Sequence, residues 1–249
     1  MTKITAIIPT LNEEIHIEAA IESVNFADEI IVIDSYSSDN TVQLAEKHNV
    51  KIIKRKFDDF SSQKNFAIDQ ATNPWIYVLD ADERVTPEVE KEILEAVKNP
   101  KGKVGFYVGR SFYFVGKHLK YGGCQRDKVV RLFLKEFCVY KGVVHETIYT
   151  EGDLGFFMNR IQHYSYRGYD HYISKMNHYG ALRAKQYFSE GKKVNFYHLL
   201  IKPIARFFIH FFIRLGFLDG FRGFIYARAQ AYGVYVRYIK LWALNQKPD

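Results

Sequence analysis

Residues 4–41 read ITAIIPTLNEEIHIEAAIESVNFADEIIVIDSYSSDNT. Two short apolar runs, Ile4–Pro9 and Glu29–Asp34, flank a segment with helical spacing from about Asn12, a candidate N-cap, to Val24. Both runs are rich in β-branched residues and both end in polar loops, which is how strands buried on two faces read. The rhythm continues with a helix over about 39–48, a strand over 50–54, a helix near 61–70 and a strand over 75–79. Thr86-Pro87-Glu88 then opens a helix with a cap, a proline at the first position and an acid in the first turn. Strands alternating with helices of this length predict an α/β fold built on a mostly parallel sheet. After Pro100 the spacing shortens. Segments 103–109, 111–115 and 129–133 read as antiparallel additions to that sheet, and from about Tyr169 the chain reads as helical to near Leu244.

In open α/β sheets ligands bind beyond the carboxyl ends of the strands. Those ends carry Pro9-Thr10-Leu11-Asn12-Glu13, then Asp34-Ser35 with Ser37, Ser38 and Asp39, then Asp80-Ala81-Asp82. Two carboxylates two residues apart lie on the same side of an extended segment. At 4 Å they would repel by about 4 kcal/mol at an effective dielectric near 20 unless a cation relieves them. A hard ion such as Mg²⁺ or Mn²⁺ would do so, taking carboxylate and phosphate oxygens together. A solvated turn that merely caps the next helix with Asp82 and Glu83 is the plainer alternative.

Composition narrows the class. The 249 residues carry a net charge of +7, yet ten Lys and Arg against two Asp fall between Gly191 and Asp249. The preceding body is close to neutral, which argues against a general nucleic-acid binder and puts the basic character into an aromatic tail. Cys124 and Cys138 have no metal or redox spacing and read as free thiols in a reducing compartment. The first apolar run is too short for a signal peptide, and no stretch approaches the roughly 18–20 apolar residues that span a bilayer. A cytoplasmic protein, peripheral on the inner face of the membrane, is expected.

The runs TAIIPTLNEE (5–14), EIIVIDSYSSDNT (29–41) and SQKNFAIDQATNPWIYVLDADE (62–83) resemble, in this order, the N-terminal half of family 2 glycosyltransferases with the GT-A fold. The resemblance implies that Pro9, Thr10 and Glu13 line a nucleotide pocket with Ser37 nearby, and that Asp34 contacts the base or ribose. It places Lys64 near the base or phosphates, where relatives often have Arg, and Asp80, with Ala81, near the ribose; taken singly, Glu13 and Lys64 read equally well as charges on a surface helix. Asp82 would ligate a divalent metal on the diphosphate. RLF (131–133) followed by VHE (144–146), with RLGFLDGFRGFIYA (214–227), is similar to bacterial lipopolysaccharide inner-core β-glucosyltransferases.

Sugar transfer from a nucleotide diphosphate needs charge neutralisation on the leaving group and, if the anomeric carbon inverts, a base for the acceptor hydroxyl. Glu146 in GVVHETIYTEG is the first candidate base and Asp127 in GGCQRDKVVRLF the second; Asp127 could equally pair with Arg126 or Lys128. His163 in IQHY could complete a carboxylate metal site, as a late histidine does in some GT-A enzymes, or pack among Tyr164, Tyr166 and Tyr169. His145 precedes the first candidate base. Arg126 and Arg131 could meet phosphate or an acidic acceptor, but read more simply as surface or strand-edge charges.

In the tail, His198, Lys202, Arg206, His210 and Arg214 recur every four residues among large apolar side chains, with Pro203 as a local irregularity. A cationic stripe opposite an apolar face describes a helix that lies in a membrane interface, or one that packs on protein. The whole reading is a GT-A catalytic domain over 1–165 and a basic helical extension over 166–249. It would use Mg²⁺ or Mn²⁺ to move a hexose, with inversion, from a UDP-type donor to a lipopolysaccharide-core or other lipid-linked or surface glycan. A sugar nucleotidylyltransferase would want glycines after the first strand, which PTLNEE lacks. A non-catalytic surface adaptor would keep the fold and lose nucleotide affinity.

Overall fold

The computed structural model describes residues 3–114, 116–142, 147–164 and 168–246. Glu146 and His145 lie outside the described residues. The chain forms two compact units, Met1–Arg110 with Lys128–His163, and Ser111–Asp127 with Tyr164–Asp249.

The first unit begins with β1 (Ile4–Thr10), α1 (Ile17–Glu22), β2 (Glu29–Asp34), α2 (Thr41–Ala45), β3 (Lys51–Lys54), α3 (Phe60–Asp69) and β4 (Trp75–Val78). A two-residue β5 (Glu83–Arg84) and α4 (Pro87–Lys98) follow. Next come β6 (Gly105–Phe114), whose residues from Ser111 on belong to the second unit, β7 (Lys117–Leu119) of the second unit, and then β8 (Lys128–Leu134), β9 (Cys138–Lys141), β10 (Thr147–Thr150) and β11 (Leu154–His163) of the first. The strand order β3-β2-β1-β4-β8-β6-β11-β5 begins with four parallel neighbours; β8 then pairs antiparallel with both β4 and β6. Both faces of β1 are covered, Ala6 and Ile8 joining the side of α1 and α4 and Ile7 the side of α3. The α4 start is as the sequence predicts: Thr86 Oγ1 accepts from Val89 N at 3.4 Å with Pro87 in the first turn.

Two expectations change. Segments 103–109 and 111–115, read as two strands, form the single strand β6. Gly109 makes no turn; a Cβ there would stand 3.0 Å from the Arg160 side chain, so the glycine lets Arg160 lie across the strand. Asn12 does not cap α1, which starts at Ile17. Its backbone takes φ 56°, and its Oδ1 accepts from Ser38 N at 2.8 Å. The side chain is thus engaged with the loop after β2.

The second unit holds α5 (Tyr169–Ser189), a helical run from Tyr197 to Ile213 centred on α6 (Lys202–Phe208), and α7 (Gly220–Asn245). The turns on either side of α6 are wound as π-helix, and Pro203, which has no N–H to give the preceding turn, sits where the first gives way to α6. Asp219 accepts from Lys120 N and Tyr121 N at 3.1 and 2.8 Å, tying the β7 loop to the start of α7. Among the described residues no helix is long and apolar enough to cross a membrane. Cys124 and Cys138 are free and buried.

Candidate active site

The parallel strands deliver their polar ends to one edge. Ser35 N donates to Thr10 O at 2.9 Å and Leu79 N to Ile7 O at 3.0 Å, so the chain stays in register past the last strand residues. Beyond β1 and β2 the loops are cross-tied: Asn12 N donates to Ser37 Oγ at 2.9 Å and Glu13 N to Thr41 Oγ1 at 2.8 Å. Asp34 is fully buried and accepts from both the backbone N–H and the hydroxyl of Ser37. Thr10 is buried too, and its Oγ1 has no hydrogen-bond partner among the described residues. Pro9, Thr10, Glu13, Asp34 and Ser37 therefore share one edge.

Beyond β4 the chain turns tightly, with Glu83 N donating to Asp80 O at 2.8 Å. The segment is not extended, so Asp80 and Asp82 take different partners. Asp80 ion-pairs with Arg131 of β8 and lies 3.4 Å from Lys64 Nζ of α3. Glu83, wholly buried, accepts from the same Arg131 Nη2 at 2.6 Å and from Arg110 Nη1 at 3.3 Å. The repulsion that the sequence raised is thus answered at Asp80 by protein cations. Burial would raise the Asp80 carboxyl; Arg131 and then Lys64 overcome it and hold the group well below the usual carboxylate range. Burial works against the Arg131 charge as well, and Asp80 and Glu83 lock it on. Arg131 is 3% and Lys64 4% exposed, so neither is the surface charge that its sequence context offered. Ala81 is buried, and its carbonyl accepts from Arg84 Nη1 at 2.8 Å.

Asp82 meets His163. The pairing of β11 with β5 sets His163 opposite Glu83, and His163 Nε2 comes to 3.6 Å from Asp82 Oδ1. Among the described residues no three His, Cys, Asp or Glu gather tightly enough to hold a metal alone. A carboxylate and an imidazole this close suit a hard to borderline divalent ion that draws its remaining ligands from water and phosphate oxygens. The donor set fits on those terms. Asp127 follows the short turn Cys124–Arg126 and belongs to the second unit. A cavity of about 670 Å³ opens at the opposite, amino-terminal edge of the sheet, along Asp28, Glu29, His48 and Lys51. It contains none of the site residues.

The buried partnership of Arg131, Glu83 and Arg110 differs from the sequence reading, in which Arg131 is a surface or strand-edge charge, Glu83 a candidate helix cap and Arg110 unassigned. One signal was available: a single arginine inside the apolar run VVRLF must find a buried partner if that run is a central strand.

Known proteins give the context. A family model described as glycosyl transferase family 2 matches residues 5–123. An uncharacterized glycosyltransferase from Rickettsia felis is 32% identical over 97% of this chain and 90% of its own length. The chain belongs to glycosyltransferase family 2. With that membership the fold is GT-A and the protein a transferase. This glycosyltransferase is also 28% identical, over 99% of its own length and 95% of the other, to the lipopolysaccharide core biosynthesis glycosyltransferase LpsC of Rhizobium meliloti. It partly overlays a crystal structure of glucosyl-3-phosphoglycerate synthase from Mycobacterium tuberculosis, at 21% identity and a TM-score of 0.39, covering 45% of this chain and 44% of that one.

Proposed function

We propose that this glycosyltransferase moves a hexose, with inversion, from a UDP-type nucleotide sugar to a hydroxyl of a lipopolysaccharide-core or other lipid-linked or surface glycan. The observation that carries the donor half is the Asp82–His163 approach of 3.6 Å beside the Arg131–Lys64 cation cluster, at the carboxyl end of β4. The near full-length similarity to LpsC supports the acceptor class.

In this reading Pro9, Thr10 and Glu13 line the nucleotide pocket. Asp34, held by Ser37, and Asp80, held by Arg131, face the nucleoside. Lys64 adds positive charge near the phosphates. Asp82 and His163 would hold Mg²⁺ or Mn²⁺, which neutralises charge on the departing diphosphate. Glu146 takes the acceptor proton, with Asp127 as the second candidate.

The exposed apolar side chains of the helical run and the start of α7 support attachment to a membrane surface. Phe208, Phe212, Ile213, Leu218 and Phe221 are 49–76% exposed. The test is thermal stability with a panel of nucleotide sugars, with and without Mn²⁺. One UDP-sugar should stabilise the protein only when Mn²⁺ is present, and Glu146→Gln should keep that stabilisation while losing transfer. If no nucleotide sugar stabilises the protein under either condition, the reading fails.

A further inference from the structure

Of the basic residues that recur every four positions in the tail, Lys202, Arg206 and Arg214 are half-buried and His210 is buried. Lys202 Nζ donates to Tyr238 Oη of α7 at 2.7 Å, and His210 is 3% exposed. Lys202, Arg206 and Arg214 turn toward Arg237 of α7, and the four line a cavity of about 340 Å³ with Val234 and Tyr238. We propose that this cavity is a binding site for a phosphate group, carried by a lipid headgroup or by a soluble phosphorylated molecule.

Four positive groups share this cavity, and among the described residues none has a carboxylate within ion-pairing distance. Their partners are neutral. Arg206 and Arg214 reach His210 Nε2 at 3.5 and 3.2 Å, while His210 Nδ1 donates to Gly122 O at 2.7 Å. That bond assigns the proton to Nδ1 and leaves Nε2 as the acceptor, so the imidazole orients two arginines without adding charge. Arg237 Nε is buried and has no acceptor among the described residues. Burial lowers the pKa of Arg206 below the ordinary value, and the adjacent Arg214 and Arg237 push it further in that direction.

A cluster placed here for structure alone would carry its counter-charge, because half-buried like charges repel and an unanswered buried guanidinium N–H costs stability. A phosphate offers two negative charges and several acceptor oxygens, which match the forked donors of arginine. The site is also shaped. Gly123 takes φ +101°, and a Cβ there would stand 2.7 Å from Arg214 Nη1, so the loop is kept bare where the guanidinium lies. All of these groups belong to the second unit, and the proposal goes beyond the transfer reaction.

Calorimetric titration and thermal unfolding of the full chain with inorganic phosphate, against chloride at equal ionic strength, test it. Phosphate should bind and raise the unfolding temperature, and Arg237→Gln should weaken that binding about tenfold or more, the loss expected for a charge-assisted bond. Arg206→Gln gives the same reading if Arg237→Gln does not fold. Phosphatidylcholine vesicles with and without phosphatidic acid separate the sources. Phosphatidic-acid binding that Arg237→Gln abolishes assigns a lipid phosphate; phosphate binding in solution with no such vesicle binding assigns a soluble ligand. Absence of phosphate-specific binding, or equal affinity in both variants and the wild type, overturns the proposal. No nucleotide sugar enters the experiment, so its failure leaves the donor site untouched, and the reverse holds.

Discussion

A single nitrogen of Arg131, Nη2, holds the carboxylates of both Asp80 and Glu83, joining the antiparallel strand β8 to the turn after β4. Removing that nitrogen leaves the buried Glu83, among the described residues, with one cation, Arg110 at 3.3 Å, and the Asp80 N–H at 3.3 Å to answer it. Breaking a buried pair from one side costs about 3–5 kcal/mol. Arg131→Ala should therefore unfold at clearly lower urea concentration, and Arg131→Lys should recover only part of the loss, because the lysine side chain is one bond shorter and its ammonium stops short of the Nη2 position. Urea midpoints at neutral pH check this; a midpoint for Arg131→Ala matching the wild type would show that the two carboxylates need no bridge.

Substitution of Asp82 should separate donor binding from stability. Its side chain is 20% exposed, and its described ion-pair partner is His163. Asp82→Asn and His163→Ala should change folding stability little, within about 1 kcal/mol. Each should weaken Mn²⁺-dependent donor binding by at least about tenfold, and removal of metal with EDTA should bring the wild type to the same level. Calorimetric titration of a UDP-sugar measures all three. A wild type that binds equally well in EDTA would make the contact an ion pair and nothing more.

The parallel core was legible because β-branched runs such as EIIVID and WIYV are buried on both faces and bounded by polar turns. The strand-end residues were legible for the same reason, since a parallel sheet fixes which end of each strand carries the loops. Signals that depend on long-range contact were not. Gly109 reads as a turn until Arg160 is seen lying over it. Asn12 reads as a helix cap until Ser38 is found on its side chain. Arg131, and Lys64 taken singly, can be read as surface charges because their acidic partner Asp80 lies 51 and 16 residues away in sequence. The tail's four-residue repeat gave the cationic stripe correctly; which way it faces was decided by Tyr238 and Gly122, to which periodicity is blind.

His210 should make stability depend on pH. Burial first, and Arg214 second, lower its pKa from 6.5 to about 4. The folded protein therefore refuses a proton that the unfolded chain accepts between pH 6.5 and 4. Stability from this group is complete above about 6.5, falls as pH drops through that window and is level again below about 4, with a total of at most about 3 kcal/mol. His210→Asn can still donate to Gly122 O but does not titrate. The difference in urea midpoint between pH 7 and pH 4.5 should be smaller in that variant than in the wild type; equal differences would place the titration elsewhere.

Two glycines of α7 give opposite expectations for the same substitution. Alanine is favoured over glycine inside a helix by about 1 kcal/mol. At Gly233 the new Cβ would come 2.9 Å from Met176 Sδ, the flexible part of an adaptable side chain. Gly233→Ala should be neutral or slightly stabilising. At Gly223 it would fall 1.8 Å from the carbonyl oxygen of Gly216, which is backbone and cannot swing away. The start of α7 would have to move off the turn at Gly216–Asp219, and overpacking of this severity costs about 3 kcal/mol or more. Thermal unfolding of the two variants side by side measures the contrast, and a Gly223→Ala protein as stable as Gly233→Ala would mean that the helix and the turn do not touch through their backbones.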